Sequence, residues 1–191
     1  MTNSELRTDL MDVKTAIRKG DSATLGSLLA EDPSQANALI RWGSNDCILT
    51  HPLHYVSDML FDGTLKRGAE LPLIDALIHA GANPRLRGIF GETALHWAAM
   101  LGEDRLAQRL IPLSEIDLND QKYNSSPLGW AVHGCYNPGA GNQGRQCEVA
   151  SFLVAAGAAV EPTWLQSDQV RADPAMLAAL SRGPSRKTGR A

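Results

Sequence analysis

The chain has 191 residues, of which 43% are hydrophobic and 20% charged, a composition typical of soluble globular proteins. The net charge of −3 argues against a general nucleic-acid-binding protein, and no apolar run reaches the roughly 18 residues of a membrane span. Three cysteines do not make a disulfide framework, so we expect a cytoplasmic protein with reduced thiols.

The N-terminal segment predicts an amphipathic helix. Leu6, Leu10, Val13 and Ile17 recur at a spacing that places them on one helical face. We expect these four side chains to point inward and the helix to close one end of the fold.

Short motifs recur after this helix, which indicates a repeat architecture. GETALHWAAMLGE, starting at Gly91, aligns with NSSPLGWAVHGCY, starting at Asn124. An earlier copy contains PLHY from Pro52, which aligns with ALHW from Ala94, and AIRKGD from Ala16 is an eroded first copy. Four copies of one structural unit are therefore predicted.

Each copy is followed by a second apolar stretch with helical spacing. In the third copy, Leu106, Leu110 and Leu113 occupy one buried face. In the fourth, Gly157 stands where the helix should end, and Pro162 is expected to prevent the helix from resuming. Each copy thus predicts a pair of helices that must pack against neighbouring pairs to bury its apolar faces.

These motifs, together with HAGANP and AAGAAV, resemble the ankyrin repeat. The resemblance implies an all-α repeat solenoid, an ankyrin-type stack of antiparallel helix pairs with hairpin-like fingers between them. It implies a non-enzymatic module that binds a protein partner through its concave groove and fingers. We expect a single domain over residues 1–180, with repeats at about 5–39, 40–88, 89–119 and 120–162, a capping helix at 173–181, and a disordered basic tail at 182–191.

The chain departs from the ankyrin pattern by two predicted insertions between paired helices, at Met59–Leu71 and Gly134–Gln146. The second contains the glycine-rich stretch Asn137–Cys147, whose glycines have the spacing of a dinucleotide-binding motif. That motif must follow a strand, whereas this stretch follows a helix, and a phosphate-binding loop would need Lys-Ser/Thr after its last glycine. We therefore interpret the stretch as a loop and expect no cofactor.

The link between the first two repeats, Asn37 to Pro52, is longer than the usual finger and contains Trp42. This tryptophan either caps the neighbouring finger or contacts a partner.

Aligning the repeats gives a candidate groove wall on the inner helices. One row consists of aromatic rings, and the second lies one helical turn further on, which puts both rows on the same face. The candidate partner-binding residues are Trp42, Tyr55, Asp58, Trp97, Met100, Trp130 and His133, with Arg18 at one end of the row. For Trp97 and Trp130 the alternative is packing between inner helices, and a large ring can do both.

Several residues with catalytic or ligand chemistry have simpler explanations. His54 and His96 occupy the position at which the ankyrin histidine ties the repeat backbone together, so we expect structural roles. Gly129 replaces that histidine in the last repeat and is expected to leave space beside Trp130. Cys135 and Cys147 with His133 lack a fourth ligand and zinc-type spacing, so no metal site is predicted.

Two functions remain open from the sequence. The first is a module that binds a protein partner in the groove, with a weak preference for a basic one because the chain without its last eleven residues has 14 basic and 21 acidic residues. The alternative is a small-molecule binder or enzyme whose pocket lies under the two insertions, around Tyr55, Asp58, Trp97, Trp130 and His133. No nucleic acid or membrane partner is expected, and we expect a monomer.

Overall fold

The computed structural model describes residues 12–137 and 144–182. Contacts divide the chain into two compact units, one of Met1–Leu60 with Thr64–Asn83, the other of Phe61–Gly63 with Pro84–Ala191. Both units are mainly helical, which confirms the predicted fold class.

The first unit contains four helices and one β-hairpin among its described residues. The elements are α1 (Val13–Lys19), α2 (Ser22–Glu31), a 3₁₀ turn (Pro33–Asn37), β1 (Ile40–Trp42), a 3₁₀ turn (Ser44–Asp46), β2 (Ile48–Thr50), α3 (Pro52–Phe61) and α4 (Glu70–His79).

Among the described residues, the first helix begins at Val13. The Asp12 side chain accepts the Thr15 N–H at 2.6 Å and caps the helix at Val13. Val13 and Ile17 are buried as predicted. Leu6 and Leu10 lie outside the described residues.

The link after the first repeat is a two-stranded antiparallel finger. Its register pairs Ile40 with Thr50 and Trp42 with Ile48. At its base the His51 ring nitrogen Nδ1 lies 3.0 Å from the Asn37 carbonyl oxygen. The Trp42 ring packs edge-on against Tyr55 of α3, with ring centroids 5.7 Å apart, so this contact is with the following helix and not with a neighbouring finger.

The first insertion is shorter than Met59–Leu71. Helix α3 continues to Phe61 and α4 begins at Glu70, so Met59 and Leu71 belong to helices. Leu65, within the connection, is buried, and its N–H donates to the Met59 carbonyl at 2.8 Å. The extra residues thus partly lengthen the helix instead of forming only a loop, because their apolar side chains can be buried.

The second unit contains the third and fourth repeats and the C-terminal helices. Its described elements are α5 (Ala94–Leu101), α6 (Asp104–Leu110), a 3₁₀ turn (Ile111–Leu113), α7 (Pro127–Tyr136), α8 (Gln146–Ala156), α9 (Pro162–Gln166), α10 (Asp168–Ala172) and α11 (Pro174–Ser181). Helix α5 packs against α6 and α7, and α8 packs against α7 and α11.

Close approach of α5 and α7 depends on a glycine. A Cβ placed on Gly134 would lie 2.2 Å from the Met100 carbonyl oxygen, far inside van der Waals contact. The inner helices can therefore come together only because position 134 carries no side chain.

Two expectations about the fourth repeat need correction. Helix α7 runs through Tyr136 and α8 starts at Gln146, so the insertion is confined to 137–145, of which 138–143 are not described. Pro162 does not end helical structure: it occupies the first turn of α9, where its missing N–H costs nothing. Of the glycine-rich stretch Asn137–Cys147, residues 138–143 lie outside the described residues.

The predicted closing helix is present as α11. The Asp173 oxygen Oδ1 accepts the N–H groups of Ala175 and Met176, each at 3.0 Å, and Pro174 is the first helical residue. Of the predicted basic tail, the structure describes only Arg182.

His96 ties the third repeat to the following finger, as its motif position predicts. Its Nδ1 accepts the Thr93 N–H at 3.0 Å, so Nε2 carries the proton and donates to the Ser125 carbonyl at 3.2 Å. His54, at the equivalent position of the first unit, is also buried.

We expect His96 to make stability depend on pH. Burial favours the neutral ring and lowers the pKa of His96 from 6.5 to about 4, despite the opposing effects of Ser125 and nearby carboxylates. Its contribution to stability is complete above pH 6.5 and is lost as the pH falls through 4. From this shift, the His96 contribution to the free energy of unfolding should fall by about 3 kcal/mol between pH 7 and pH 4.

NMR titration of the histidine rings, with urea unfolding at each pH, measures this effect. His96→Asn should flatten the pH profile of the free energy of unfolding, whereas His79→Asn, which removes an exposed ring, should keep the wild-type profile. A His96 ring that titrates near pH 6.5 in the folded protein would contradict the account.

Candidate functional site

A cleft of about 400 Å³ opens on the second unit. Helix α5 contributes Trp97 and Met100, and α7 contributes Trp130 and His133, each pair separated by one turn. Two segments that precede these helices, residues 84–93 and 114–126, occupy the finger positions of their repeats and supply the rest of the lining, which consists of Phe90, Tyr123 and Ser125. Four of the seven predicted partner-binding residues are thus brought together, because the repeat places equivalent positions of α5 and α7 side by side.

Trp97 and Trp130 form the floor of the cleft. Their rings meet edge to face, with centroids 5.3 Å apart and planes at 83°. This geometry directs the positive edge of one ring at the negative face of the other. Trp130 is buried and Trp97 is half-buried, so both rings pack between α5 and α7 and also line the cleft.

Each indole N–H is held by a buried carboxylate. The Trp97 Nε1–H donates to Glu92 Oε1 at 3.1 Å, and the Trp130 Nε1–H donates to Asp120 Oδ2 at 3.0 Å. Both carboxylates belong to the finger segments and not to the helices, so these bonds connect finger to helix. Donation to an anion also pushes electron density onto the ring, which makes the indole face a better partner for a cation.

Asp120 organises the finger that carries Tyr123. It accepts the backbone N–H groups of Lys122, Tyr123 and Ser125 at 2.8, 2.6 and 3.0 Å. Burial acts to raise the pKa of Asp120, but the hydrogen bonds from Tyr123, the Trp130 indole, Ser125 and Lys122 outweigh it and lower the pKa below its usual value. Asp120 is therefore negatively charged, and its carboxylate accepts hydrogen bonds from four N–H groups.

Glu92 performs the same task for the preceding finger. While Oε1 binds the Trp97 indole, Oε2 accepts the Phe90 N–H at 2.8 Å. The Glu92 side chain therefore holds both the Trp97 ring and the backbone segment that carries Phe90.

An ammonium group of the chain already lies on two of these aromatic rings. Lys122 Nζ sits 4.1 Å from the centroid of the Phe90 ring and 5.0 Å from that of Tyr123. Both distances are within the range of a cation–π interaction. Lys122 itself is exposed, so this contact can be exchanged for another without unfolding the finger.

The other predicted partner-binding residues lie in the first unit. Tyr55 is only 1% exposed and cannot present a surface to a partner, so that part of the prediction is wrong. Its ring is buried against Trp42. Trp42 is half-buried, and its Nε1 is a buried atom without a hydrogen-bond partner in the part of the chain that the structure describes. Asp58 is half-buried.

Gly129 does not leave the expected space beside Trp130. A Cβ at this position would lie 2.1 Å from Ser125 Oγ and 3.3 Å from Trp164 Cζ2, so these two side chains fill the volume. The cleft lies instead between the fingers and the exposed parts of α5 and α7.

The sequence pattern did not indicate four residues of the site, because they lie on the fingers, whose side chains follow no helical period. These residues are Phe90, Tyr123, Glu92 and Asp120. The one available signal was local. Glu92 and Asp120 are acidic residues placed next to turn-forming segments, where a carboxylate commonly accepts backbone N–H groups.

We expect Asp120→Asn to destabilise the protein by about 2–4 kcal/mol, since the amide offers one oxygen to a site built for an anion with four donors. Urea unfolding followed by tryptophan fluorescence would measure it. Asp117→Asn is the matched control: Asp117 is exposed and, among the described residues, accepts the Ala159 N–H at 2.8 Å, so a loss below about 1 kcal/mol is expected there. Equal losses at both positions would contradict a special role for Asp120.

A comparison with known protein families identifies the repeats. A family described as ankyrin repeats, in three copies, matches residues 64–163, just over half of the chain. A search of curated proteins gives no match. No helix in the described ranges is long and apolar enough to cross a membrane. The matched segment includes both cleft-forming repeats and confirms the resemblance noted from the motifs. This chain belongs to the ankyrin repeat family.

Proposed function

We propose that this chain is a protein-interaction module whose aromatic cleft binds a basic side chain of a partner segment. Ankyrin repeats generally mediate contacts with proteins, which supports the general class. The observation that carries the finer proposal is the arrangement of aromatic faces backed by two buried carboxylates, with an ammonium group already lying on two of the rings.

The size of the cleft suits one or two side chains. About 400 Å³ is too little for a folded surface to enter but accommodates a lysine or arginine side chain with part of its neighbour. Such a side chain would lie with its methylene stem on Met100 and the tryptophans, and its charge near the ring faces.

Charge also favours a basic partner. Glu92 and Asp120 are hydrogen-bonded to the indole N–H groups of the floor rings, and the acidic residues of the chain outnumber the basic ones, 21 to 18. Both features lower the cost of bringing a cation to the cleft and steer it there.

The contacts of the two carboxylates also support binding in preference to catalysis. Asp120 accepts four N–H groups, and Glu92 accepts the Trp97 indole and the Phe90 N–H. Their oxygens therefore orient rings and backbone, and we assign them no proton-transfer role.

A free organic cation is a second candidate ligand. The cleft volume falls within the range of small-molecule sites, which favours this alternative. It differs from the pocket expected from the sequence, because neither Tyr55 nor Asp58 is among the lining residues.

Calorimetric titration with three capped pentapeptides, Gly-Ala-X-Ala-Gly, tests the proposal. X is arginine, lysine or norleucine, whose side chain has the four carbons of lysine without the ammonium group. We expect the two basic peptides to bind at least about fivefold more tightly than the norleucine peptide, since a partly desolvated cation–π contact contributes about 1–2 kcal/mol. Equal affinity for the norleucine peptide would contradict cation recognition. Tetramethylammonium that binds as tightly as the peptides would favour the small-molecule alternative.

Two exposed side chains give a matched pair of variants for this titration. Tyr123, 60% exposed, lies in the cleft, and Ile89, 66% exposed, lies outside it. Tyr123→Ala should weaken binding of the lysine peptide by about threefold or more, whereas Ile89→Ala should leave it unchanged. The reverse result would move the binding surface away from the cleft.

Lys122→Gln tests whether the ligand uses the ring faces that Lys122 now covers. Removing the competing ammonium should tighten binding of the lysine peptide by about two- to fivefold, because Phe90 and Tyr123 become available. Weaker binding would show that Lys122 supports the site instead of competing for it.

A further inference from the structure

We propose that Cys135, Cys147 and Asp173 form a binding site for one thiophilic divalent cation, Zn²⁺ being the expected occupant. The three residues come from the last turn of α7, the first turn of α8 and the residue that caps α11, all within the second unit. The site is separate from the aromatic cleft and does not depend on the proposed function.

The ligand atoms of the three residues lie close enough together to share one ion. The two sulfur atoms and a carboxylate oxygen all lie within 4.8 Å of one another, and Cys135 Sγ is 3.8 Å from Asp173 Oδ2. Zn–S bonds of about 2.3 Å and Zn–O bonds of about 2.0–2.2 Å in a tetrahedron put neighbouring ligand atoms about 3.5–3.8 Å apart. Side-chain shifts of about 1 Å at the widest pair would therefore complete the geometry.

Asp173 can bind a metal without losing its structural role, because its two oxygens face different ways. Oδ1 accepts the Ala175 and Met176 N–H groups and caps α11. Oδ2 faces Cys135, and Tyr136 OH donates to it at 3.4 Å. The backbone bonds to Oδ1 would hold the carboxylate in the orientation that a ligand needs.

The donor set selects for a soft ion. Two thiolates and one carboxylate favour Zn²⁺ over Mg²⁺ or Ca²⁺, which bind oxygen ligands. All three residues are half-buried, so an ion can enter and a water molecule can complete four-coordination.

The sequence predicted no metal site, because Cys135, Cys147 and His133 lack a fourth ligand and zinc-type spacing. In the structure His133 is not in the cluster; the third ligand is Asp173, which the packing of α11 on α8 brings to the thiols. An ion at this site would bind the folded protein more tightly than the unfolded chain and would therefore stabilise it.

Cobalt substitution of the full chain tests the proposal. Protein kept reduced with a phosphine and freed of metal with a chelator is titrated with Co²⁺, and the sulfur-to-cobalt charge-transfer absorption is recorded. We expect saturation at one Co²⁺ per chain, loss of the band when one equivalent of Zn²⁺ is added, and a higher Tm with Zn²⁺. A chain that shows no charge-transfer band would overturn the proposal.

Three variants assign the ligands, with circular dichroism as the check of folding. Cys135→Ser should abolish the charge-transfer band, and Cys47→Ser, which changes an exposed cysteine of the first unit, should keep it. Asp173→Asn retains an oxygen for the helix cap and should weaken Zn²⁺ binding by about tenfold or more even if Cys135→Ser fails to fold. Unchanged Zn²⁺ affinity in folded Asp173→Asn, or a band lost only in Cys47→Ser, would also overturn it.

Discussion

The indole–carboxylate hydrogen bonds of the second unit are the interactions on which its candidate site depends. Glu92 and Asp120 each lie on a finger segment, and each accepts the indole N–H of a tryptophan on an inner helix. A buried carboxylate without donors would be strongly unfavourable, so each finger must keep its position for the acid to stay satisfied. The same bonds fix the tryptophan rotamers, and the cleft is the space that these fixed rings and fingers enclose.

This arrangement links stability and recognition in one set of residues. Asp120 accepts three backbone N–H groups of the finger that carries Tyr123. His96 donates to a carbonyl of the same finger, that of Ser125. A binding wall on such a finger is preorganised, because the backbone is already ordered before any ligand arrives. Less conformational entropy is then lost on binding.

Local signals in the sequence predicted the helix pairs and several helix ends, but not the ends that border the two insertions. The motif histidine at 96, the cap at Asp173 with Pro174, and the apolar spacing of Val13 and Ile17 each act within a few residues, and each is found as expected. The pairing of Trp97 with Trp130 was also accessible, because the repeat alignment puts equivalent positions on adjacent helices.

Features that depend on tertiary contacts could not be read in this way. The burial of Tyr55 follows from its packing against Trp42 in a hairpin whose register no helical period describes. Asp120 reaches Trp130 ten residues away along the chain, and Asp173 approaches Cys135 only after α11 packs on α8. In each case the partner is set by the path of the chain between repeats.

NMR signals of the four tryptophan indole N–H groups test the central claim most directly. On addition of the lysine pentapeptide, we predict that the Trp97 and Trp130 signals shift together with one affinity, while those of Trp42 and Trp164, which do not line the cleft, stay in place. The norleucine peptide should produce much smaller shifts at the same concentration. Equal shifts of all four signals, or shifts confined to Trp42 and Trp164, would contradict binding in the aromatic cleft.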